Sequence, residues 1–171
     1  MKKILLATLI TGAMSASALA VDAGTGTVTF IGSIITAPCS IEPGEENQEV
    51  PLGQVSDVTL NAGGASAPQP FSIKLQGCNL QNNNIVKVTF NGVDAGVNTG
   101  MLQITGEASG AAVKIMSTSG TQINLNNAAP DQTYVAGDNE LKFTAALQGL
   151  TGETVTPGEF SAVTNFTLAY Q

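Results

Sequence analysis

Two cysteines and a short run of carboxylates are the residues of this chain with the most chemistry in them. Cys39 and Cys78 are its only sulfhydryls, and Glu42, Glu45, Glu46 and Glu49 crowd into one acidic loop just after the first of them. With no histidine in the chain, Ser–His and Cys–His nucleophile pairs are not available. Glycosidase chemistry needs two carboxylates converging across a cleft, and neighbours on one loop rarely do so, which makes a solvated acidic loop the better reading. Asp131, Asp138 and Glu140 suggest calcium, yet their spacing fits no recognised calcium loop. Asn165-Phe166-Thr167 fits a glycosylation sequon but falls within an alternating strand, and we read it as chance. No enzyme, metal site or cofactor is therefore expected. For the cysteines in an oxidising compartment, one intramolecular disulfide is the default, with an intermolecular bridge or a reactive thiol as the alternatives. Closing a loop of some forty residues stabilises the fold by about 4 kcal/mol in the chain-entropy account.

That compartment is indicated by the N-terminus. Lys2-Lys3, the apolar run Ile4 to Ala13 and the small-residue Ala18-Leu19-Ala20 site read as a secretory signal peptide over residues 1–20. The run is too short for the roughly 20 residues of a membrane span. Cleavage after Ala20 leaves 151 of the 171 residues, enough for one domain with a core. Without Lys2 and Lys3, four lysines face thirteen acidic residues, a net charge of −9 with no arginine. Nucleic acid and anionic membranes, which need clustered positive charge, are poor partners for such a chain.

The elements that carry these residues read as strands. Phe71, Ile73 and Leu75 alternate with polar residues up to Cys78, and Val86, Val88 and Phe90 alternate before an Asn91-Gly92 turn. Gln48 to Val55 reads as a short strand with Pro51 marking an edge or bulge, Asn61 to Pro70 as a loop, and Gln81 to Asn84 as a turn. Further strands are expected at Met101–Thr105, Ala112–Met116, around Ile123 and Leu125, at Leu141–Ala145 after a Gly137-Asp138-Asn139 turn, and at Phe160–Tyr170. Strands spaced about ten residues apart predict one all-β sandwich.

The segment Thr25 to Ile34 fits this scheme least simply. Gly26, Val28, Phe30, Gly32 and Ile34 share one face, while Thr25, Thr27, Thr29, Ile31 and Ser33 share the other. An ordinary first strand of the sandwich is one reading. Two glycines on the apolar face favour a second, in which another backbone or a shallow groove comes very close. The chain also stops on a strand bearing Phe166, Leu168 and Tyr170 on one face, and a bare apolar edge is an aggregation template. One molecule's leading strand covering a neighbour's bare edge reconciles the two ends.

The arm ending Val28-Thr29-Phe30-Ile31-Gly32-Ser33-Ile34, Cys39, the run Leu52-Gly53-Gln54-Val55, Gln76-Gly77-Cys78 and the penultimate Tyr170 together resemble pilin subunits of chaperone–usher fimbriae, most of all major type 1 shaft subunits. The likeness covers the whole chain after residue 20. It implies an incomplete immunoglobulin-like β-sandwich lacking its final strand over residues 36–171, with residues 21–35 as a donor-strand extension. It also implies a periplasmic chaperone that lends a strand and an outer-membrane usher where the next subunit's arm replaces it, giving a homopolymer that supports cell adhesion from the cell surface. Pilin donor-strand complementation is itself a named instance of strand addition. Carried onto this chain, Gly26, Val28, Phe30, Gly32 and Ile34 become the donor face, and Cys39 and Cys78 the subunit disulfide. Phe166, Leu168 and Tyr170 become the strand bordering the groove and contacting the chaperone. A minor or tip adaptor or adhesin that binds a receptor is the alternative; a secreted hydrolase ranks below both.

Overall fold

The computed structural model describes residues 25–80 and 83–171. The chain divides into two compact units, Met1–Ile35 and Thr36–Gln171. In the first, the described residues 25–35 form no helix or strand and lie exposed to solvent. Their alternation predicted a strand, but a strand exists only through a partner's hydrogen bonds, and these residues have none.

The second unit is built almost wholly of strands: β1 (Ser40–Ile41), β2 (Gln69–Cys78), β3 (Ile85–Asn91), β4 (Leu102–Gln103), β5 (Thr105–Gly106), β6 (Ala111–Ser117), β7 (Gln132–Thr133), β8 (Gly137–Gly149), β9 (Phe160–Ser161) and β10 (Asn165–Tyr170). One helical turn, α1 (Asp57–Leu60), runs into a 3₁₀ turn at Asn61–Gly63. A five-stranded antiparallel sheet has the order β1-β2-β8-β6-β4, and a three-stranded one the order β10-β3-β7. β5 and β9 form a small pair of their own.

The inward-facing residues alternate as a half-buried sheet requires. Ile73 and Leu75 on β2, Val113 and Ile115 on β6, and Leu141, Phe143 and Leu147 on β8 are buried from the first sheet; Val86, Val88 and Phe90 on β3 are buried from the second. Three aromatic rings join the layers. Phe90 meets Phe143 edge-on at 5.1 Å between centroids, and Phe71 packs on them at 6.0 and 5.5 Å. Such offset and edge contacts add about 0.5–1.5 kcal/mol each beyond the area they bury. This is the sandwich architecture of two packed antiparallel layers.

Several elements depart from the sequence reading. Residues 48–55 make no ladder although Leu52 and Val55 pack on the core. Ile123 and Leu125 are buried without a strand, held by single bonds from Ile123 N to Ile115 O (2.9 Å) and from Leu125 N to Gly100 O (3.1 Å). The Asn61–Pro70 loop holds the 3₁₀ turn and yields its last two residues to β2, while Gly137, Asp138 and Asn139 open β8 instead of turning. Asn91-Gly92 closes no hairpin, because β3 pairs with β10 and β7 instead of with the strand that follows it. The expected strand 160–170 is broken into β9 and β10. The Gln81-Asn82 half of the expected 81–84 turn lies outside the described residues.

Candidate strand-acceptor groove

Among the described residues the smaller sheet ends on β10, which pairs with β3 alone. Gln171 and Ile85 exchange both of their main-chain bonds, at 2.9 and 3.3 Å. Hydrogen-bonded and non-bonded pairs alternate along an antiparallel ladder. In the register Phe166↔Phe90, Leu168↔Val88 and Tyr170↔Val86, the N–H and C=O groups of Phe166, Leu168 and Tyr170 therefore point away from β3, toward an edge with no partner strand. The same three side chains are half-buried against the core. The last strand thus offers an approaching chain both a row of free main-chain groups and the border of an apolar interior.

Beside that edge the sandwich is open. A groove of about 990 Å³ runs into the body. Its floor is apolar, with Phe71, Ile73, Leu102, Val113, Ile115 and Leu147 among its lining. Phe166 stands on one margin, and the unpaired segment 49–55 supplies Leu52 and Val55. The remaining wall comes from residues 155–164, where Val155, Phe160 and Ala162 pack on the core. That wall is fastened to the segment after β5: Glu107 N and Ala108 N both donate to Glu159 O, and Ser109 and Thr156 exchange a pair of bonds. Glycines allow the close approach. A Cβ on Gly110, whose φ is +76°, would lie 2.3 Å from Thr154 O, and one on Gly158 would lie 2.7 Å from Ala108 N. Sequence reasoning missed this wall, whose apolar residues follow no period among Thr, Gly and Glu.

At the far end of β10 the groove gives way to packed rings. Tyr170 meets the buried Tyr134 edge-on at 5.8 Å, and burial pushes the Tyr170 phenol above its usual pKa. Tyr134 was not singled out from sequence, since nothing near it alternates.

Gly26, Val28, Phe30, Gly32 and Ile34, expected from the sequence to be a donor face, lie in the first unit, where Phe30 is 90% exposed and nothing stands within 4 Å of a Cβ placed on Gly26 or Gly32. Cys39 and Cys78 form a disulfide that ties the start of the second unit to the end of β2. Beside it Asn79 N donates to Pro38 O at 2.8 Å.

Two of the four carboxylates of the acidic loop take a lysine partner. Lys74 Nζ lies 3.1 Å from Glu45 and 3.8 Å from Glu42, and the hydrogen bond and charge of Glu45 raise its pKa. Asp131 pairs with Lys87 at 3.5 Å and Glu140 with Lys142 at 3.1 Å, while Asp138 accepts a bond from Gly77 N at 3.4 Å, so the three residues that suggested calcium have separate partners. Among the described residues no group of three or more side chains is arranged to hold a metal ion.

A family model described as fimbrial protein matches residues 28–171. The Fimbria A protein of Serratia marcescens is 46% identical over 172 residues, covering 100% of this chain and 99% of that protein. The Major MR/P fimbria protein of Proteus mirabilis is also 46% identical, over 92% of this chain and 91% of its own. Among solved structures, a subunit in the structure of a chaperone–usher pilus that reveals the molecular basis of rod uncoiling superimposes with a TM-score of 0.80 at 31% identity, over 88% of this chain and 98% of that one. The family match begins inside the exposed segment 25–35 and runs past β10 to the final residue, so it takes in both the open sandwich and the end of that segment: the chain belongs to the fimbrial protein family.

Proposed function

We propose that this chain is a shaft subunit of a surface fimbria and that it polymerises by strand exchange, residues 21–35 of one copy filling the groove of the next. The chain is exported and becomes part of a fimbrium at the cell surface. Its role is structural, not catalytic, and through the fibre it serves adhesion. The division at residue 35 is also a functional one: residues 21–35 are donor, residues 36–171 acceptor.

The observation that carries this reading is the pairing of two incomplete surfaces in one chain. The groove of about 990 Å³ is flanked by a strand whose outer main-chain groups have no partner strand among the described residues. The arm presents Val28, Phe30 and Ile34 at strand spacing with nothing to pack on. As an added strand the arm completes the ladder along β10, each new bond contributing about 0.5–1.5 kcal/mol net, and its three anchors fill apolar space at about 1.5–3 kcal/mol each. Ordering the arm costs about 1–2 kcal/mol per residue, so the anchors decide the sign. Gly32 sits where the approach is tightest, and Cys39–Cys78 holds the root of the arm to a fixed point on the body.

Before assembly the same open edge requires cover, since an unpaired apolar edge aggregates. A periplasmic chaperone supplies that cover with Phe166, Leu168 and Tyr170 at the contact, and an outer-membrane usher is where arm replaces chaperone. The rod-bearing and major-subunit relatives favour the shaft over a tip position. Deleting residues 21–35 tests the reading: the truncated subunit is expected to bind chaperone but to add no further subunit, and polymers that persist without the arm overturn it.

A further inference from the structure

Asn91-Gly92 is the single Asn-Gly pair of the chain, and the fold does not use it as a turn. Such a pair carries chemistry of its own. The Gly92 nitrogen can attack the Asn91 carboxamide carbon, forming a C–N bond while the Cγ–Nδ2 bond breaks and ammonia leaves. Water then opens the succinimide ring at either carbonyl, giving aspartate or the β-linked isoaspartate. Glycine eases the first step, because no Cβ shields the nitrogen and the backbone turns freely.

The structure holds this pair in a conformation that cannot react. Asn91 ends β3 in extended backbone, which aims the Gly92 nitrogen away from the Asn91 carboxamide. The side chain of Asn91 follows the buried Phe90 onto the opposite, wetter face of the strand, where its contact with Thr89 O is long at 3.5 Å. The carboxamide of Asn126 grips Gly92 by both main-chain groups. Gly92 N donates to Asn126 Oδ1 at 3.4 Å, and Asn126 Nδ2 donates to Gly92 O at 3.3 Å. A side-chain amide paired in this way stands in for one residue of a partner strand. Asn126 is placed for it by its own N–H, which donates to Phe90 O at 2.8 Å, and by a left-handed φ of 61° that asparagine tolerates.

We propose that Asn91-Gly92 is a self-modification site held closed by the Asn126 carboxamide. While the two bonds persist, Gly92 does not rotate toward the Asn91 side chain, and ammonia is lost only from the population in which they have opened. The modification falls at a packed junction. Asn91 opposes Asn165, where β10 begins, and a Cβ on Gly92 would lie 2.6 Å from Cδ1 of Leu102, which lines the groove. Isoaspartate lengthens the main chain by one methylene at this point, pressing Gly92 on Leu102 or freeing Asn165. On the reading of the groove as a strand acceptor, the product is an aged subunit whose groove fits an incoming strand less well.

The exported chain, incubated at mildly alkaline pH and then digested, reports deamidation at each asparagine by peptide mass. Asn91 is expected to react far more slowly in the folded wild type than in the same chain unfolded in urea. N126A removes both bonds to Gly92 and is expected to react about tenfold faster at Asn91 when folded, with Asn61 and Asn98 unchanged and no difference from wild type in urea. N126D keeps an acceptor for Gly92 N but loses the donor to Gly92 O, and is expected to fall between the two; if N126A does not fold, N126D decides alone. A folded wild type as fast as the unfolded chain, or variants no faster than wild type, overturn the proposal. So does an equal rise at Asn61 and Asn98, which reports general unfolding instead of local release. Uptake of a synthetic peptide of residues 25–36 reads the consequence. Slower uptake by the modified chain is expected, and equal uptake overturns the link to the groove. Failure of both forms to take it up overturns the acceptor reading and leaves the chemistry at Asn91 standing.

Discussion

Truncating Phe30 to alanine separates what the arm does in the free chain from what it does in a joint. In the free chain the ring is 90% exposed and touches no core, so F30A removes no packing and unfolding of the body is expected to shift by less than about 0.5 kcal/mol. In the proposed joint the same ring enters an apolar groove whose floor includes Phe71, Ile73 and Leu147. Losing a fully buried aromatic side chain and leaving its space empty costs about 3–5 kcal/mol. At 1.4 kcal/mol per tenfold, a loss of about 3 kcal/mol corresponds to roughly a hundredfold weaker joint. Most of that change is expected as faster dissociation, since mutants of one interface differ chiefly in off-rate. The assay is a chase: labelled joined subunits are diluted into excess unlabelled arm peptide and loss of label is followed over time. Ile31 provides the internal control. It is 94% exposed and one residue along, on the opposite face of an extended arm, so I31A is expected to leave the off-rate within about twofold. A one-residue slip in register exchanges the two faces. If I31A weakens the joint and F30A does not, the donor face has been assigned to the wrong set of residues. If F30A lowers the stability of the unassembled body by several kcal/mol, the arm is an internal strand and the reasoning fails.

Other perturbations read out different parts of the design. Replacing Gly32 by leucine costs the free chain nothing, since no atom stands within 4 Å of its Cβ position, but is expected to slow joining while chaperone capture stays normal; unchanged joining kinetics would remove the tight-approach argument. The Cys39–Cys78 bond spans a separation of 39 residues, and its replacement by serines is expected to cost about 4 kcal/mol of folding stability in urea titration, with a loss below about 1 kcal/mol counting against the chain-entropy account. Gly110→Ala puts a Cβ at 2.3 Å from Thr154 O in a left-handed conformation, and a loss of at least about 1–3 kcal/mol is expected, with a neutral result showing that the groove wall can move aside. Asp94 accepts bonds from Gly96 N at 3.2 Å, Gly100 N at 2.9 Å and the Thr99 hydroxyl, and these donors, Thr99 foremost, hold its pKa below the usual carboxylate value. A depressed folded pKa means that this brace is complete above the ordinary value of about 4 and fades as pH falls through the lower folded one. The amide proton shifts of Gly96 and Gly100 should titrate below pH 4 and cease to do so in D94N; shifts indifferent to pH would exclude the brace.

Alternation made the buried strands legible because period two maps directly onto a sheet with one wet face. Ile73 and Leu75, Val86 to Phe90, Leu141 to Ala145, and Phe166 to Tyr170 all lie where that pattern places them. The failures share a cause. Residues 48–55 alternate like a strand, yet their side of the sandwich lacks the strand that would give them a ladder. Thr25 to Ile34 also alternates and forms no strand, because nothing described in the chain pairs with it. Ile123 and Leu125 fail differently: two apolar residues suffice for burial, and single bonds to Ile115 and Gly100 replace a ladder. α1 is a four-residue turn, too short for a 3.6-residue period to register. The groove wall at 155–164 was invisible because its shape depends on Gly106, Gly110 and Gly158 meeting main chain from a distant segment, and such tertiary approaches leave no local pattern.

The geometry of the joint also fixes the form of the assembly. In the proposed joint each chain brings one arm and one groove, and the two surfaces are different, so every contact is heterologous, with arm meeting groove and never arm meeting arm. Contacts of that kind generate rings if successive rotations close and open filaments if they do not. Only the filament leaves a groove unfilled at one end and an arm unused at the other, and both ends carry surfaces that cannot stay bare: free N–H and C=O groups along Phe166, Leu168 and Tyr170 on one, Val28, Phe30 and Ile34 on the other. On the proposed mechanism a fibre of this chain therefore ends at its groove-bearing end, the end where the usher adds arms, on a different protein, one that supplies a strand and need not accept one. Counting copies with an antibody specific for this chain in electron micrographs tests that deduction. Label along the whole shaft but absent from the groove-bearing end is expected; label confined to one end would make this chain the terminal subunit and transfer the shaft to another.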